Sequence, residues 1–254
     1  MMNNSKDRFS HTVENYIKYR PHYPKEILTI LKRECGLNQQ SVVADIGSGT
    51  GILTELFLKE DYRVFAVEPN KAMREAAERQ LNGYSKFYSV NASAEESTLE
   101  DHRIDLIVVA QAFHWFDHEN AKKEFSRILK PTGFVGLVWN LRDTEASSFM
   151  KAYDDLFVEF GTDYKEVNAE RVDDESIKKF FAPTPVQIYI LPNKQVMDWD
   201  AFKGRLLSTS YAPKEDDKNY LPMLERAEEI FSRYQKDGAI EFIYQTKLYL
   251  SSLR

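Results

Sequence analysis

Along the first half of the chain, short apolar runs alternate with segments whose apolar residues recur every three or four positions. In Lys25–Cys35 (KEILTILKREC), Ile27, Leu28, Leu31 and Cys35 share one helical face. Ser41–Asp45 (SVVAD) is apolar up to a terminal acid and predicts a short buried strand. Residues 51–59 predict a helix. Arg63–Glu68 (RVFAVE) predicts a second strand, again ending in an acid. Lys71–Leu81 has high helix propensity, with Met73, Ala76, Ala77 and Leu81 on one face. Residues 86–90 and 104–111 predict the third and fourth strands. In ENAKKEFSRILKPTG, Ala121, Phe125, Ile128 and Leu129 share a helical face that Pro131 and Gly133 end. Gly133–Asn140 predicts the fifth strand. Strands apolar on both faces and separated by helices imply a parallel sheet covered on both sides, with right-handed crossovers. Ligands in such sheets bind beyond the C-terminal strand ends.

The second half has another texture. Ala146–Phe160 is amphipathic, with Phe149, Tyr153, Leu156, Phe157 and Phe160 on one face. Its polar positions are mostly acidic, so burial against the sheet or over a site fits better than a membrane surface. The stretch 163–179 is polar and shows no clear period. Pro185–Pro192 predicts a strand, and helices are expected near 199–207 and 224–234. In Ile240–Leu250, Ile240, Phe242 and Tyr244 alternate with Glu241, Ile243 and Gln245, the pattern of an edge-type strand. Gly238 just before it makes a tight reversal and an antiparallel run plausible. No linker separates the halves. The expectation is one domain over 1–254, with an N-terminal helical cover (1–38), a ligand-binding core (39–140) and substrate-side helices and strands (141–254).

Composition narrows the partners. The chain of 254 residues carries a net charge of −6, with a sequence pI of about 5.5. That argues against a nucleic-acid partner, because phosphate binding needs a basic surface. Cys35 is the one cysteine, so neither an internal disulfide nor a thiolate metal cluster can form, and a reducing compartment fits. The opening MMNNSKDRFS has no apolar core of a signal peptide. The longest apolar run, Ile107 to Ala110, is far too short to span a bilayer. A cytoplasmic protein with no membrane partner is expected, as monomer or homodimer. The remaining histidines (His11, His22, His102, His118) make no metal-ligand spacing, so no metal is expected.

The chemistry concentrates at VVADIGSGTG, Val42–Gly51. Glycines let a ligand approach the backbone, and the helix that follows offers unpaired N–H groups. The dinucleotide fingerprint G-x-G-x-x-G requires a glycine where Ile52 stands, and no Gly-Lys-Ser/Thr follows for a P-loop. Asp45, just before the loop, would repel a pyrophosphate but suits a ligand with cationic or amine groups. S-adenosylmethionine (SAM) has a sulfonium, an ammonium and no phosphate. Glu68, at the end of the second strand, is placed to accept hydrogen bonds from ribose hydroxyls.

DIGSGTG with VEPNKAM, then NASAE and a fourth strand running into AQAFHWF, resembles the class I SAM-dependent methyltransferases. The closer resemblance is to the small-molecule "type 11" branch, which includes trans-aconitate-methyltransferase-like proteins. YIKYRPHYP, VWNLRD and STSYAP look like the same branch. The resemblance implies an α/β Rossmann-like fold: a seven-stranded, mostly parallel sheet with the last strand antiparallel and helices on both faces. It also implies SAM as cofactor, leaving as S-adenosylhomocysteine (SAH). Asp45, Gly47, Ser48, Gly49 and Gly51 would line the methionine part and Glu68 the ribose. Pro69, Asn70 and Met73 would flank ribose and adenine, and Ser93, Ala94 and Glu95 would sit at the adenine edge. Many relatives carry aspartate where Ser93 stands. Gln111 and Ala112 would pass under the methyl donor.

Methyl transfer is in-line displacement at an activated carbon, so the protein must align the reactants and exclude water. A base is needed only if the acceptor must lose a proton. His114, just past the fourth strand, is the candidate base; the alternative is a local hydrogen bond or cap. Trp115 is expected as pocket wall or core. Arg20 is expected to pair with the cofactor's carboxylate or an acidic substrate. Tyr16, Tyr23, Asn140, Arg142 and Tyr211 complete the expected substrate pocket. The reading is transfer of a methyl group to a small molecule, at oxygen. An RNA or protein methyltransferase and a non-catalytic SAM-binding protein are the alternatives; the Asn-Pro-Pro-Tyr type motif of amino-group methylation is absent.

Overall fold

A computed structural model describes residues 19–162, 164, 173–209 and 211–254. The helices are α1 (Glu26–Cys35), α2 (Ile52–Lys59), α3 (Lys71–Leu81), α4 (His118–Ile128), α5 (Ser148–Phe160), α6 (Asp174–Phe181), α7 (Trp199–Leu207) and α8 (Tyr220–Tyr234). The strands are β1 (Val42–Ile46), β2 (Arg63–Val67), β3 (Phe87–Val90), β4 (Ile104–Ala110), β5 (Leu129–Arg142), β6 (Gln187–Met197) and β7 (Ile240–Ser251). They form one sheet in the order β3-β2-β1-β4-β5-β7-β6. The first five strands run parallel, and β7 is antiparallel to both its neighbours. The strand order reverses between β1 and β4, which opens a crevice at their C-terminal ends.

The apolar runs end up buried on both sides. Val42, Ala44 and Ile46 face one cluster with Ile107, Val109, Phe125 and Phe181. Val43 faces the other, with Val64, Leu106, Val108 and residues of α1 and α2. A third cluster lies among the cover helices, with Phe149, Tyr153 and Phe157 of α5 against Phe202 and Leu206 of α7 and Phe242 of β7. On α3 the buried residues are Met73, Ala76, Ala77 and Leu81, the face that the sequence marks.

Four expectations need correction. Leu129 is the first residue of β5, not the last of a helix: α4 stops at Ile128 and Leu129 already has extended backbone (φ −68°, ψ 137°). The polar stretch before residue 180 contains α6, which Asp173 caps by accepting from the Glu175 N–H and which buries Ile177, Phe180 and Phe181. α8 begins at Tyr220, before the expected start. Lastly, β7 is interior, paired with β5 on one side and β6 on the other. The edge is β6, whose Ile190 and Val196 are exposed. Alternation in β7 records its two faces, and faces say nothing of neighbours along the hydrogen-bonding direction. The reversal before β7 is present: Asp237 and Gly238 both hold positive φ (51° and 78°), and Lys236 and Ala239 bridge across them. That is the turn Asp-Gly favours.

Candidate functional site

The loop from Gly47 to Gly51 joins β1 to α2 at the crevice. The Gly47 and Ser48 N–H groups donate to the Val67 carbonyl (2.9 and 3.2 Å), tying the loop to the end of β2. All three glycines have positive φ, but their surroundings differ. A Cβ on Gly47 would lie 2.6 Å from the Ala112 Cβ and 3.2 Å from the Phe116 ring. On Gly51 it would lie 2.6 Å from Leu81 of α3. On Gly49 it would meet nothing within 4 Å. Gly47 and Gly51 therefore admit close protein packing, whereas Gly49 leaves its backbone open to a ligand.

Glu68 locks this loop. One carboxylate oxygen accepts from the Gly49 N–H (2.9 Å), and the other from the Asn70 N–H (2.8 Å). Each oxygen keeps a further lone pair for a hydroxyl donor. Burial pushes the Glu68 carboxyl above its ordinary range, opposed by those two N–H groups. Arg74 steadies the same turn by donating to the Glu68 carbonyl (2.9 Å) and to Asn91 (2.9 Å). Asn70 caps α3 by accepting from the Met73 N–H (3.1 Å). Pro69 and Asn70 are half-buried at the rim, whereas Met73 lies in the core beneath them.

Asp45 does not line the loop surface. It is fully buried, and its Oδ2 accepts from Thr54 Oγ1 of α2 at 2.6 Å, while Oδ1 has no partner. The period-two alternation of β1 turns it to the same side as Val43, under α2. Burial raises its pKa to about 7, with Thr54 opposing and the Glu68 charge adding to the rise. It contributes a negative charge beneath the loop only when ionised, which a cationic ligand would favour.

The expected adenine edge, Ser93–Glu95, follows β3. Ser93 and Glu95 are half-buried and Ala94 is buried. The Asp117 N–H donates to Glu95 Oε1 (3.0 Å). Glu124 of α4 holds the same loop by accepting from the Ser97 N–H (2.8 Å) and hydroxyl (2.5 Å), with Arg127 on its other side. Past β4, Gln111 has φ +57°, a sparsely populated conformation for a non-glycine residue. Its amide donates to the Asn140 carbonyl (3.2 Å). Ala112 and Phe116 touch the Gly47 backbone, so the short 3₁₀ turn between them (Phe113–Trp115) sits against the glycine loop. His114 is on that turn, half-buried, with its ring 4.6 Å from that of Trp115; Trp115 is exposed and is not part of the core. Phe113 is the core member, stacked on His118 at 4.1 Å.

On the substrate side the expected residues part company. The Asn140 side chain is committed within the protein: it accepts from Thr246 (2.5 Å) and Asn193 (3.1 Å) and donates to the carbonyls of Pro21 and His22. It latches residues 21–22 to the sheet. Tyr23 packs beside the α1 cluster. Arg20 reaches the Ser208 carbonyl past the end of α7 (3.2 Å). Tyr16 lies outside the described residues. Arg142 and Tyr211 do come together, in a ring cluster with Tyr153, Phe157 and Tyr164. Sequence reasoning missed Thr54, Arg74 and Arg205. Thr54 lies one position from the usual helix-start pattern, and the two arginines look like ordinary helix-surface residues.

The residues fit a nucleoside ligand bearing positive charge. Gly49 is an open cradle, Glu68 offers paired acceptors to vicinal hydroxyls, and Asp45 carries an orphaned oxygen and an unbalanced charge that would oppose a pyrophosphate. Residues 44–137 match the model of a family described as "Methyltransferase domain". An uncharacterized methyltransferase of Schizosaccharomyces pombe is 34% identical over 139 residues, covering 53% of each chain. One from Mycobacterium bovis is 36% identical over 135 residues, again 53% of each. The chain thus spans about half the length of the curated relatives it matches. A protein from Anaeromyxobacter dehalogenans, assigned without proof of activity as a type II methyltransferase, superposes with a TM-score of 0.70 at 19% identity. That match covers 92% of this chain and 98% of the other. Residues 44–137 of the chain are thus similar to a methyltransferase domain, carried on a fold shared with a methyltransferase-like structure.

Proposed function

We propose that the protein transfers a methyl group from SAM to a small-molecule acceptor, at oxygen. The observation that carries this reading is the Gly49–Glu68 pair, an open backbone clamped by a buried carboxylate, above the uncompensated Asp45. When bound, SAM would supply a methyl carbon on cationic sulfur, open to in-line attack by an acceptor oxygen with the C–S electron pair leaving on sulfur. Glu68 would hold the ribose, Ser93–Glu95 the adenine edge, and the Gly47–Gly51 backbone the methionine part. Gln111, held by the Asn140 carbonyl, would form the floor below the reacting carbon. His114 is the group placed to take a proton from a hydroxyl acceptor; a carboxylate acceptor needs none.

A small acceptor is favoured by the cover. Residues 19–24, α5 and α7 pack over the C-terminal end of the sheet, and the cover's interior is aromatic. The net charge of −6 also argues against the basic surface that RNA requires. We read residues 39–140 as the cofactor half and 1–38 with 141–254 as the substrate side, in a cytoplasmic monomer or homodimer. Among the described residues no helix is long and apolar enough to cross a membrane. The test is calorimetry with SAM, SAH and NAD, followed by turnover on a panel of small acids and phenols. Binding of SAM and SAH that Glu68→Ala weakens, together with turnover, supports the reading. Preference for NAD sinks it, and tight binding without turnover on any acceptor points to a SAM-binding protein.

A further inference from the structure

Two arginines meet under the cover. The Arg142 side chain, at the end of β5, is 8% exposed; Arg205, on α7, is 5% exposed. They are near enough to repel one another, and Arg205 stands among the phenols of Tyr244, Tyr153 and Tyr211. Among the described residues one carboxylate is paired with the two charges: Asp154, 3.6 Å from Arg142 Nη2. Asp154 also accepts from the Tyr164 hydroxyl, which in turn accepts from Arg142 (2.7 Å). Arg142 further lies over the rings of Tyr153, Phe157 and Tyr164 at 5.4–5.6 Å. Among the described residues Arg205 is paired with no carboxylate. Arg142 Nη1 and Arg205 Nε and Nη1 are buried donors with no hydrogen-bond partner. Like charges brought together out of water, with donors left over, oppose folding unless an anion joins them.

We infer that Arg142 and Arg205 form a clamp for a carboxylate of the methyl acceptor. The inference rests on the methyltransferase reading of the site and adds the acceptor's chemical class. A planar guanidinium fork suits a carboxylate better than a spherical anion. The position suits a substrate anchor. Arg142 lies two residues past Asn140 on the same face of β5, so one strand repeat, about 7 Å, separates them. The Asn140 carbonyl in turn holds Gln111, the proposed floor under the reacting carbon. A small acid anchored at the clamp therefore spans to the methyl donor with a few bonds between its carboxylate and its accepting atom. The cover helix α7 carries half of the clamp, so anchoring the acceptor also fastens the roof.

The test uses the full chain and glutarate as probe, by calorimetry and thermal shift in the presence of SAH. Glutarate is expected to bind and raise the melting temperature, whereas its diamide does neither. Arg142→Gln and Arg205→Gln are expected to weaken glutarate by about 10-fold or more while SAH affinity holds. Circular dichroism checks that each variant folds. Where Arg205→Gln does not fold, Arg205→Lys takes its place, keeping the charge and losing the fork, and the glutarate–diamide contrast in the unmutated protein stands by itself. Absence of glutarate and succinate binding to SAH-loaded protein overturns the inference and leaves the methyltransferase reading intact. So does glutarate binding indifferent to both variants, or a preference for inorganic phosphate. Loss of SAH affinity in a folded variant also overturns it, because the clamp would then hold the cofactor's own carboxylate. Failure of the unmutated protein to bind SAH strikes the methyltransferase reading, while glutarate binding lost in the variants would keep the clamp.

Discussion

Gly47 and Gly49 both hold left-handed backbone, yet an added methyl group would meet packed protein at one and open space at the other. Gly47→Ala is expected to lower stability by more than the roughly 1–2 kcal/mol of left-handed strain, because Ala112 must also move. Gly49→Ala carries that strain of about 1–2 kcal/mol alone, but places its methyl where the ligand approaches, so SAH affinity is expected to fall further than stability. Urea melts and calorimetry on the two variants separate the roles; equal losses of affinity and stability at Gly49 would refute the assignment. Asp45 makes a pH prediction. Its folded pKa of about 7 lies above the ordinary 3.8. The stability it contributes is thus fully present below pH 4 and lost as pH rises through 7, on the order of 4 kcal/mol at most. Glu68, raised by burial, acts in the same direction. A cationic ligand favours the ionised acids, so SAM affinity is expected to increase from pH 6 to pH 8 with proton release, read by calorimetry in buffers of different ionisation enthalpy. Asp45→Asn is expected to raise the melting temperature of the ligand-free protein at pH 8 more than at pH 5, and to flatten the pH dependence of SAM binding.

Helix α7 and the segment 19–24 form one unit of the cover. A Cβ on Gly204 would overlap the Tyr19 ring, at 2.0 Å. Gln195 of β6 donates to the carbonyls of Tyr19 and Arg20, and Asn140 and Asn193 hold His22. In an exposed helix, alanine is about 1 kcal/mol better than glycine. Here Gly204→Ala is expected to destabilise instead, and to make the bonds near residues 19–24 more readily cleaved in limited proteolysis. Unchanged cleavage would mean that the segment does not depend on this contact. The residue pattern showed that a helix lies at 199–207, but a close approach between its glycine and a tyrosine far upstream leaves no periodic trace.

At the scale of the molecule, two sheet clusters and a third cluster in the cover are separate bodies of packing. Phe202, fully buried, meets Phe149, Tyr153, Trp199, Phe231 and Phe242. Phe202→Ala is expected to cost about 3–5 kcal/mol, with amide exchange accelerating in α5, α7 and α8 before the sheet. SAH is expected to protect the amides of residues 45–51, 68–70 and 93–95 in both proteins. Loss of that protection in Phe202→Ala would show that cover and cofactor site unfold together.

Local patterning determined much of this. Apolar runs and helical periods placed β1 to β4 and α1 to α3 within a residue or two, because each records a buried face along its own segment. The glycine loop and the two strand-end acids were legible for the same reason: a ligand at a strand end imposes its chemistry on consecutive residues. Only tertiary structure decided the rest. Strand order made β7 interior and β6 the edge, which hydrogen bonds between distant segments settle. The alternation of β1 met α2 above it, so Asp45 lies beneath the loop instead of lining it. Asn140 became a latch because β6, β7 and the segment 21–22 converge on it. Arg205 reads as a surface residue on α7 until α7 folds over the sheet, where burial beside Arg142 turns a solvated charge into one that requires an anion.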